Sequence, residues 1–138
     1  MKTSMNQAMM AQVQHSWQRI APMGADAGKL FYQHLFTADP ELRPLFKGDM
    51  EQQAGKLVQM IDVAVSKLND LSVLLPVLEH LGRRHRGYGV LPAHYHAVGA
   101  ALLLTLAQGL GGAWTPEVSA AWEKTYDVIA DTMITAAP

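Results

Sequence analysis

The chain has 138 residues and a mass of 15.1 kDa, which bounds it at a single domain, residues 1–138. With 49% hydrophobic and 17% charged residues it reads as globular, and a formal net charge of −1 offers no field to steer nucleic acid or anionic lipid. The absence of cysteine excludes disulfides, thiolate metal sites, iron–sulfur clusters and haem attached through a CxxCH motif, and it fits a cytoplasmic protein.

The N-terminus, Met1 to Gln7, lacks the apolar core of a signal peptide, and no uninterrupted apolar run is long enough to expect a membrane span. No repeat, low-complexity tract or linker marks a second domain. Met5, Met9, Val13, Trp17 and Ile20 then recur at helical spacing, and Pro22-Met23-Gly24 breaks the pattern. A second helix is expected over 26–37, with Leu30, Phe31, Leu35 and Phe36. Proline is well placed in a first turn, so Pro40 opens a short element over 40–46. After a turn at Lys47-Gly48-Asp49, a long helix over 50–69 turns Leu57, Met60, Ile61, Ala64, Val65 and Leu68 inward.

The next helix spans 72–86, and Gly87 and Gly89 follow it as terminating glycines. Pro92 starts another, with Tyr95, Val98, Leu102, Leu103 and Leu106 in phase, and 109–112 is a loop. Thr115-Pro116-Glu117 supplies a capping hydroxyl, a first-turn proline and an acid at the positive end of the helix dipole. Val118, Trp122, Tyr126, Ile129 and Met133 form the inner face of the last helix. About seven helices and no convincing strand define an all-α domain, whose methionines and tryptophans belong to its core.

His85 interrupts that regularity. Leu81, Leu78 and Leu74 precede it at i−4, i−7 and i−11, so it stands where an apolar stripe calls for leucine. An imidazole there costs free energy unless its nitrogens are paired. From the residues alone, a core histidine bonded to a neighbour and a metal ligand both remain open. His80, His94 and His96 lack the i, i+3 or i+4 spacing of a zinc set.

The chain as a whole resembles the bacterial single-domain globins, the Vitreoscilla haemoglobin and flavohaemoglobin globin-domain family, and within it the Hell's Gate globin type. The matching stretches are Leu30-Phe31-Tyr32-Gln33-His34-Leu35-Phe36, Asp39-Pro40-Glu41-Leu42 through Leu45-Phe46, and Leu81-Gly82-Arg83-Arg84-His85 through Tyr88-Gly89-Val90. They continue with His94-Tyr95-His96-Ala97-Val98-Gly99 and Ala121-Trp122-Glu123-Lys124-Thr125-Tyr126, in register along nearly the whole chain.

This resemblance implies a globin fold around haem b, held without a covalent bond and with His85 as the iron's axial ligand. The His85 Nδ1–H would then be held by a backbone carbonyl one turn earlier, that of Leu81. Phe46 matches the phenylalanine packed flat on the haem. Gln53 and Leu57 match the distal glutamine and the apolar residue one turn beyond, in the softest register of the match. Tyr32 matches the distal tyrosine, and Tyr95, Val90, Val98 and Tyr126 match residues around the pocket. Arg84 or Lys56 would pair with a propionate, although exposed basic residues are by default simply solvated.

A five-coordinate iron would take dioxygen and other diatomic gases such as NO and CO. A phenol hydrogen bond to a ligand bearing negative charge is worth roughly 1.5–3 kcal/mol, so Tyr32 with Gln53 implies slow release. The implied role is reversible oxygen binding and storage. The alternative is a nitric oxide dioxygenase that forms nitrate and depends on a separate flavin/NADH reductase, since the chain ends at Pro138 without one. The family's late glutamate, which bonds the proximal histidine, would fall near Ala137, where Thr135-Ala136-Ala137-Pro138 has no acid. That departure favours binding over catalysis. The expected state is a monomer or weak dimer, with no nucleic-acid partner.

Overall fold

In a computed structural model, residues 6–46 and 48–137 are described; Met5, Lys47 and Pro138, all named above, lie outside them. Six α-helices follow in order: α1 (Gln7–Ile20), α2 (Ala25–Ala38), α3 (Met50–Ser66), α4 (Leu71–Gly87), α5 (Pro92–Leu110) and α6 (Pro116–Ala136). A 3₁₀ helix, Pro40–Leu45, links α2 to α3 and completes the expected seven elements, with two further short 3₁₀ turns at Ala21–Met23 and Gly111–Ala113. No strand occurs among the described residues.

Local chemistry sets the boundaries. Asn6, Asp49 and Thr115 cap α1, α3 and α6 by accepting from the N–H groups of Met9, Glu51 and Val118, which satisfies donors left over by the first turn. The expected stop at Gly87 falls slightly later. Gly87 is still helical, and Gly89 makes the reversal at φ 95, where a side chain would be strained. α3 ends at Ser66 rather than at 69, and Phe46 stands in extended backbone just after the 3₁₀ helix. Pro76 lies inside α4, one turn from its start, where it removes a single backbone donor.

Two apolar clusters fill the interior. The larger joins Val13, Trp17 and Ile20 of α1 to Leu74 and Leu78 of α4, Leu106 of α5 and Trp122 of α6. Both buried indoles are satisfied: Trp17 Nε1 donates to Asp62 Oδ1 at 2.9 Å and Trp122 Nε1 to Ser16 Oγ at 2.8 Å. The smaller cluster gathers Phe31, Tyr32 and Leu35 of α2, Leu42 of the 3₁₀ helix, Ala54 of α3 and Ala101 of α5.

Burial grades along three helices in a consistent direction. In α3, Leu57 and Ile61 are half-buried while Ala64 and Val65 are buried. α5 passes from half-buried Tyr95, Val98 and Leu102 to buried Leu106 and Leu110. α4 runs the opposite way, from buried Leu74 and Leu78 to half-buried Leu81 and His85. The closed core thus lies at one end of these helices, and the other end presents apolar side chains that the protein itself does not cover. Pro92–Ala113 is long and apolar enough to cross a membrane by length and composition, at mean hydropathy 1.3. In this fold it packs against α1, α2 and α6 as a core helix.

Leu106, which is 1% exposed in the closed core, tests the reading of the two ends. Leu106→Ala is expected to cost about 2–5 kcal/mol and lower the melting temperature of the haem-free protein by about 6 °C or more, by thermal denaturation.

Candidate functional site

The half-buried ends of α3 and α5 meet the smaller apolar cluster, which holds Tyr32, while Leu81 of α4, one turn before His85, packs against the larger one. Tyr32 is held by aromatic neighbours on three sides: Phe31 edge-on at 5.0 Å, Phe36 stacked at 5.7 Å and Phe46 edge-on at 5.2 Å between centroids. The side chain is only 7% exposed, yet its hydroxyl meets no hydrogen-bond partner among the described residues. A buried phenol without a partner is costly, so it points to an acceptor that the protein does not supply. Burial pushes its pKa up to about 12, which keeps it a donor throughout the physiological range.

His85 has the complementary arrangement. Its Nδ1 lies 2.9 Å from the carbonyl oxygen of Leu81, one helical turn back. A carbonyl can only accept, so Nδ1 carries the proton and Nε2 keeps its lone pair. No described group engages Nε2. Burial lowers the ring's pKa below its ordinary 6.5; the Leu81 bond opposes this, and the charge of Arg84 adds to the lowering. The ring is therefore biased towards the neutral form, the form that coordinates metal.

Several apolar residues of these elements are left half-covered. Phe46 and Leu57 pack against the smaller cluster with Val98, and Val90 follows α4 in a loop that touches the 3₁₀ helix. At Gly89 a methyl group would come within 3.6 Å of Leu45 Cδ2, so the chain after His85 does reach the Phe46 side. Gln53 is half-buried on the first turn of α3, one turn before Leu57, and it makes an interaction of its own. Gly28 fixes the crossing of α2 and α3: a Cβ there would lie 2.5 Å from the Ala54 carbonyl oxygen. Tyr32 and Gln53 are thereby set on facing helices.

Tyr95 is half-buried and Tyr126 donates its hydroxyl to the Tyr95 backbone carbonyl at 2.5 Å. Burial raises both phenols, and in Tyr126 the neighbouring Tyr95 and Asp127 raise it further. Gly99 admits the Tyr126 ring, whose Cε2 would lie 2.6 Å from an added Cβ. Arg84 and Lys56 are exposed; Arg84 Nη2 donates to the Tyr88 hydroxyl at 3.1 Å, and Tyr88 is itself 62% exposed. No cluster of His, Asp and Glu suited to a bare metal ion occurs among the described residues. The one partner of the His85 ring among the described residues is the Leu81 carbonyl. Sequence reasoning singled out His85 and Tyr32 but passed over Gly28, Gly82 and Gly99, whose only signal was a glycine inside a helical pattern.

A buried phenol whose hydroxyl has no partner among the described residues, and a half-buried imidazole whose Nε2 no described group engages, are the two groups here suited to a ligand with an acceptor and to a metal. The Globin family model matches residues 29–133. The chain is also 36% identical over 107 residues to the flavohemoprotein of Bacillus subtilis, covering 75% of this chain and 27% of that protein. It is 37% identical over 122 residues to the flavohemoprotein of Bordetella parapertussis, covering 83% of this chain and 30% of that one. The chain belongs to the globin family, on the branch of bacterial globins, and is a haem protein for diatomic gases. It spans less than a third of the length of these flavohemoproteins.

The His85 geometry predicts a pH effect in the haem-free protein. Unfolded, the ring takes a proton near 6.5; folded, it does so only at lower pH. The unfolded state therefore binds more protons in that interval, so the contribution is intact above about 6.5 and is lost as pH falls through the folded value. Urea denaturation should show wild type losing more stability than His85→Leu between about pH 7 and about pH 5. Equal losses would mean that the ring is solvated.

Proposed function

We propose that this chain binds haem b non-covalently with His85 Nε2 as axial ligand, and that it takes up dioxygen reversibly for storage. The carrying observation is the His85 Nδ1 contact to Leu81, which leaves a lone pair on Nε2 of a half-buried ring biased towards the neutral form. Phe46, Leu57, Val90 and Val98 would cover the faces of the macrocycle, with Tyr95 and Tyr126 behind the proximal side. Arg84 and Lys56 would face its propionates, where exposed pairs of this kind contribute little to affinity. Bound there, the haem supplies one open coordination position for a diatomic gas such as O2, NO or CO.

The protein's own part is to hold and to donate. His85 is oriented by the Leu81 carbonyl, so the ring enters coordination already in the required tautomer. Tyr32 is fixed by three aromatic neighbours and donates from a site that excludes water, so little reorganisation accompanies ligand capture. Gln53, across the α2–α3 crossing, would supply a second donor, an amide, beside the interaction it already makes. The acceptor that orients the imidazole is thus a neutral carbonyl.

The flavohemoprotein relatives favour a second reading, in which the chain converts NO and dioxygen to nitrate with electrons from a separate flavin/NADH reductase. We further propose that 1–138 works as one cytoplasmic domain, as a monomer or weak dimer.

His85→Ala is expected to abolish the Soret-band signature of coordinated haem; retention of an unaltered spectrum would remove His85 from this role. Tyr32→Phe should speed oxygen dissociation by about ten- to a hundredfold in stopped-flow measurements, with an unchanged rate showing that the phenol is directed elsewhere. Nitrate formed from NO and oxygen in many turnovers when a flavin reductase is added, and in one turnover without it, would establish the enzymatic reading instead.

A further inference from the structure

α4 carries His85, yet it is attached to the rest of the protein in a narrow way. Its extensive main-chain packing is on α6, while Leu74 and Leu78 in its first half join the closed core. Within that packing Gly82, buried, lies directly on the main chain of Met133: an added Cβ would collide with the Met133 carbonyl oxygen and would stand 2.7 Å from its Cα. These are backbone atoms of a helix interior, so no rotamer change relieves the collision. Met133 itself is 5% exposed and belongs to the closed core. Gly82 therefore sets how closely α4 can approach α6.

The turn that follows translates this approach into the position of a nitrogen. Leu81, adjacent to Gly82, holds His85 Nδ1 through its carbonyl, and His85 is three residues further along the same helix. A helix moves as a rigid body over one turn, so the Leu81 carbonyl, the imidazole and Nε2 shift together when the α4–α6 contact shifts. We infer that Gly82 is the positioning residue for His85: its missing side chain fixes the height and tilt at which Nε2 is presented to the haem iron. The inference rests on the assignment of His85 as axial ligand. It is distinct from the helix propensity of residue 82, because alanine is the better helix former and would by propensity alone strengthen α4.

Three substitutions in the haem-loaded protein separate these effects. Gly87, in the same helix and with open space where a methyl group would project, is the control for removing a helical glycine. In Gly82→Ala, resonance Raman of the ferrous protein should show the iron–histidine stretching band displaced or lost, and haemin should leave roughly 10- to 100-fold faster. Gly87→Ala should keep the native band. Adding Met133→Ala to Gly82→Ala should restore nothing, because the collision is with main chain. Trp17 and Trp122, paired in the closed core at 6.1 Å, report whether damage stays local; their fluorescence in haem-free Gly82→Ala should remain native.

A native band in Gly82→Ala overturns the inference, as does an equal displacement in Gly87→Ala. Rescue by Met133→Ala overturns it too, and so does exposure of both tryptophans, since α4 would then not be separately suspended. Failure of the underlying assignment looks different: the band would be missing from wild type, or would persist in His85→Ala.

Discussion

Close approach of main chains at helix crossings is the constraint on which this structure depends. At Gly28 the second helix lies on the backbone of Ala54, and at Gly82 the fourth lies on that of Met133. Gly99 lets the Tyr126 ring reach the first turns of α5, where its hydroxyl finds the Tyr95 carbonyl. Each contact is closer than any side chain permits, so each glycine defines a spacing that packing of larger residues could not. Two of these crossings stand beside the groups proposed to face the haem. The first sets Tyr32 against α3, and the second sets His85 against α6.

The closed core and the open end are complementary parts of one design. Around Trp17, Trp122, Leu74 and Leu106, side chains interlock and polar atoms are paired, which supplies a rigid base. Towards the ends of α3, α4 and α5 the same helices leave leucine and valine half-covered, Phe46 after the 3₁₀ helix is half-covered too, and the Tyr32 hydroxyl and His85 Nε2 have no partner among the described residues. Such an arrangement is unfavourable on its own and becomes favourable with a large apolar ligand in place. Stability is thereby coupled to ligand occupancy, since whatever binds the folded state alone also stabilises it.

The electrostatics of the site are those of neutral groups. Burial lowers His85 and holds Tyr32 at about 12, so neither is charged near neutral pH. The imidazole is oriented by a carbonyl rather than a carboxylate, which leaves it a weaker electron donor than one paired with an acid.

Much of this was legible in the sequence because its signals are local. Leucine spacing through Leu74, Leu78 and Leu81 put His85 on an inward face, and Thr115-Pro116 marked the start of the last helix to the residue. The resemblance assigned roles to Tyr32 and Phe46 that periodicity could not, because a core aromatic and a haem-facing one share the same pattern. Element ends were less legible: Gly87 and Gly89 both read as stops, and only the backbone dihedral shows that Gly89 makes the reversal. What the tertiary structure alone decided is which polar atoms lack partners and which glycines touch another backbone. Gly82 in the sequence is merely a poor helix former; against Met133 it is the point where α4 rests on α6. Helix and face follow from neighbours along the chain, whereas contacts and missing partners depend on residues far apart in it, and only folding brings those together.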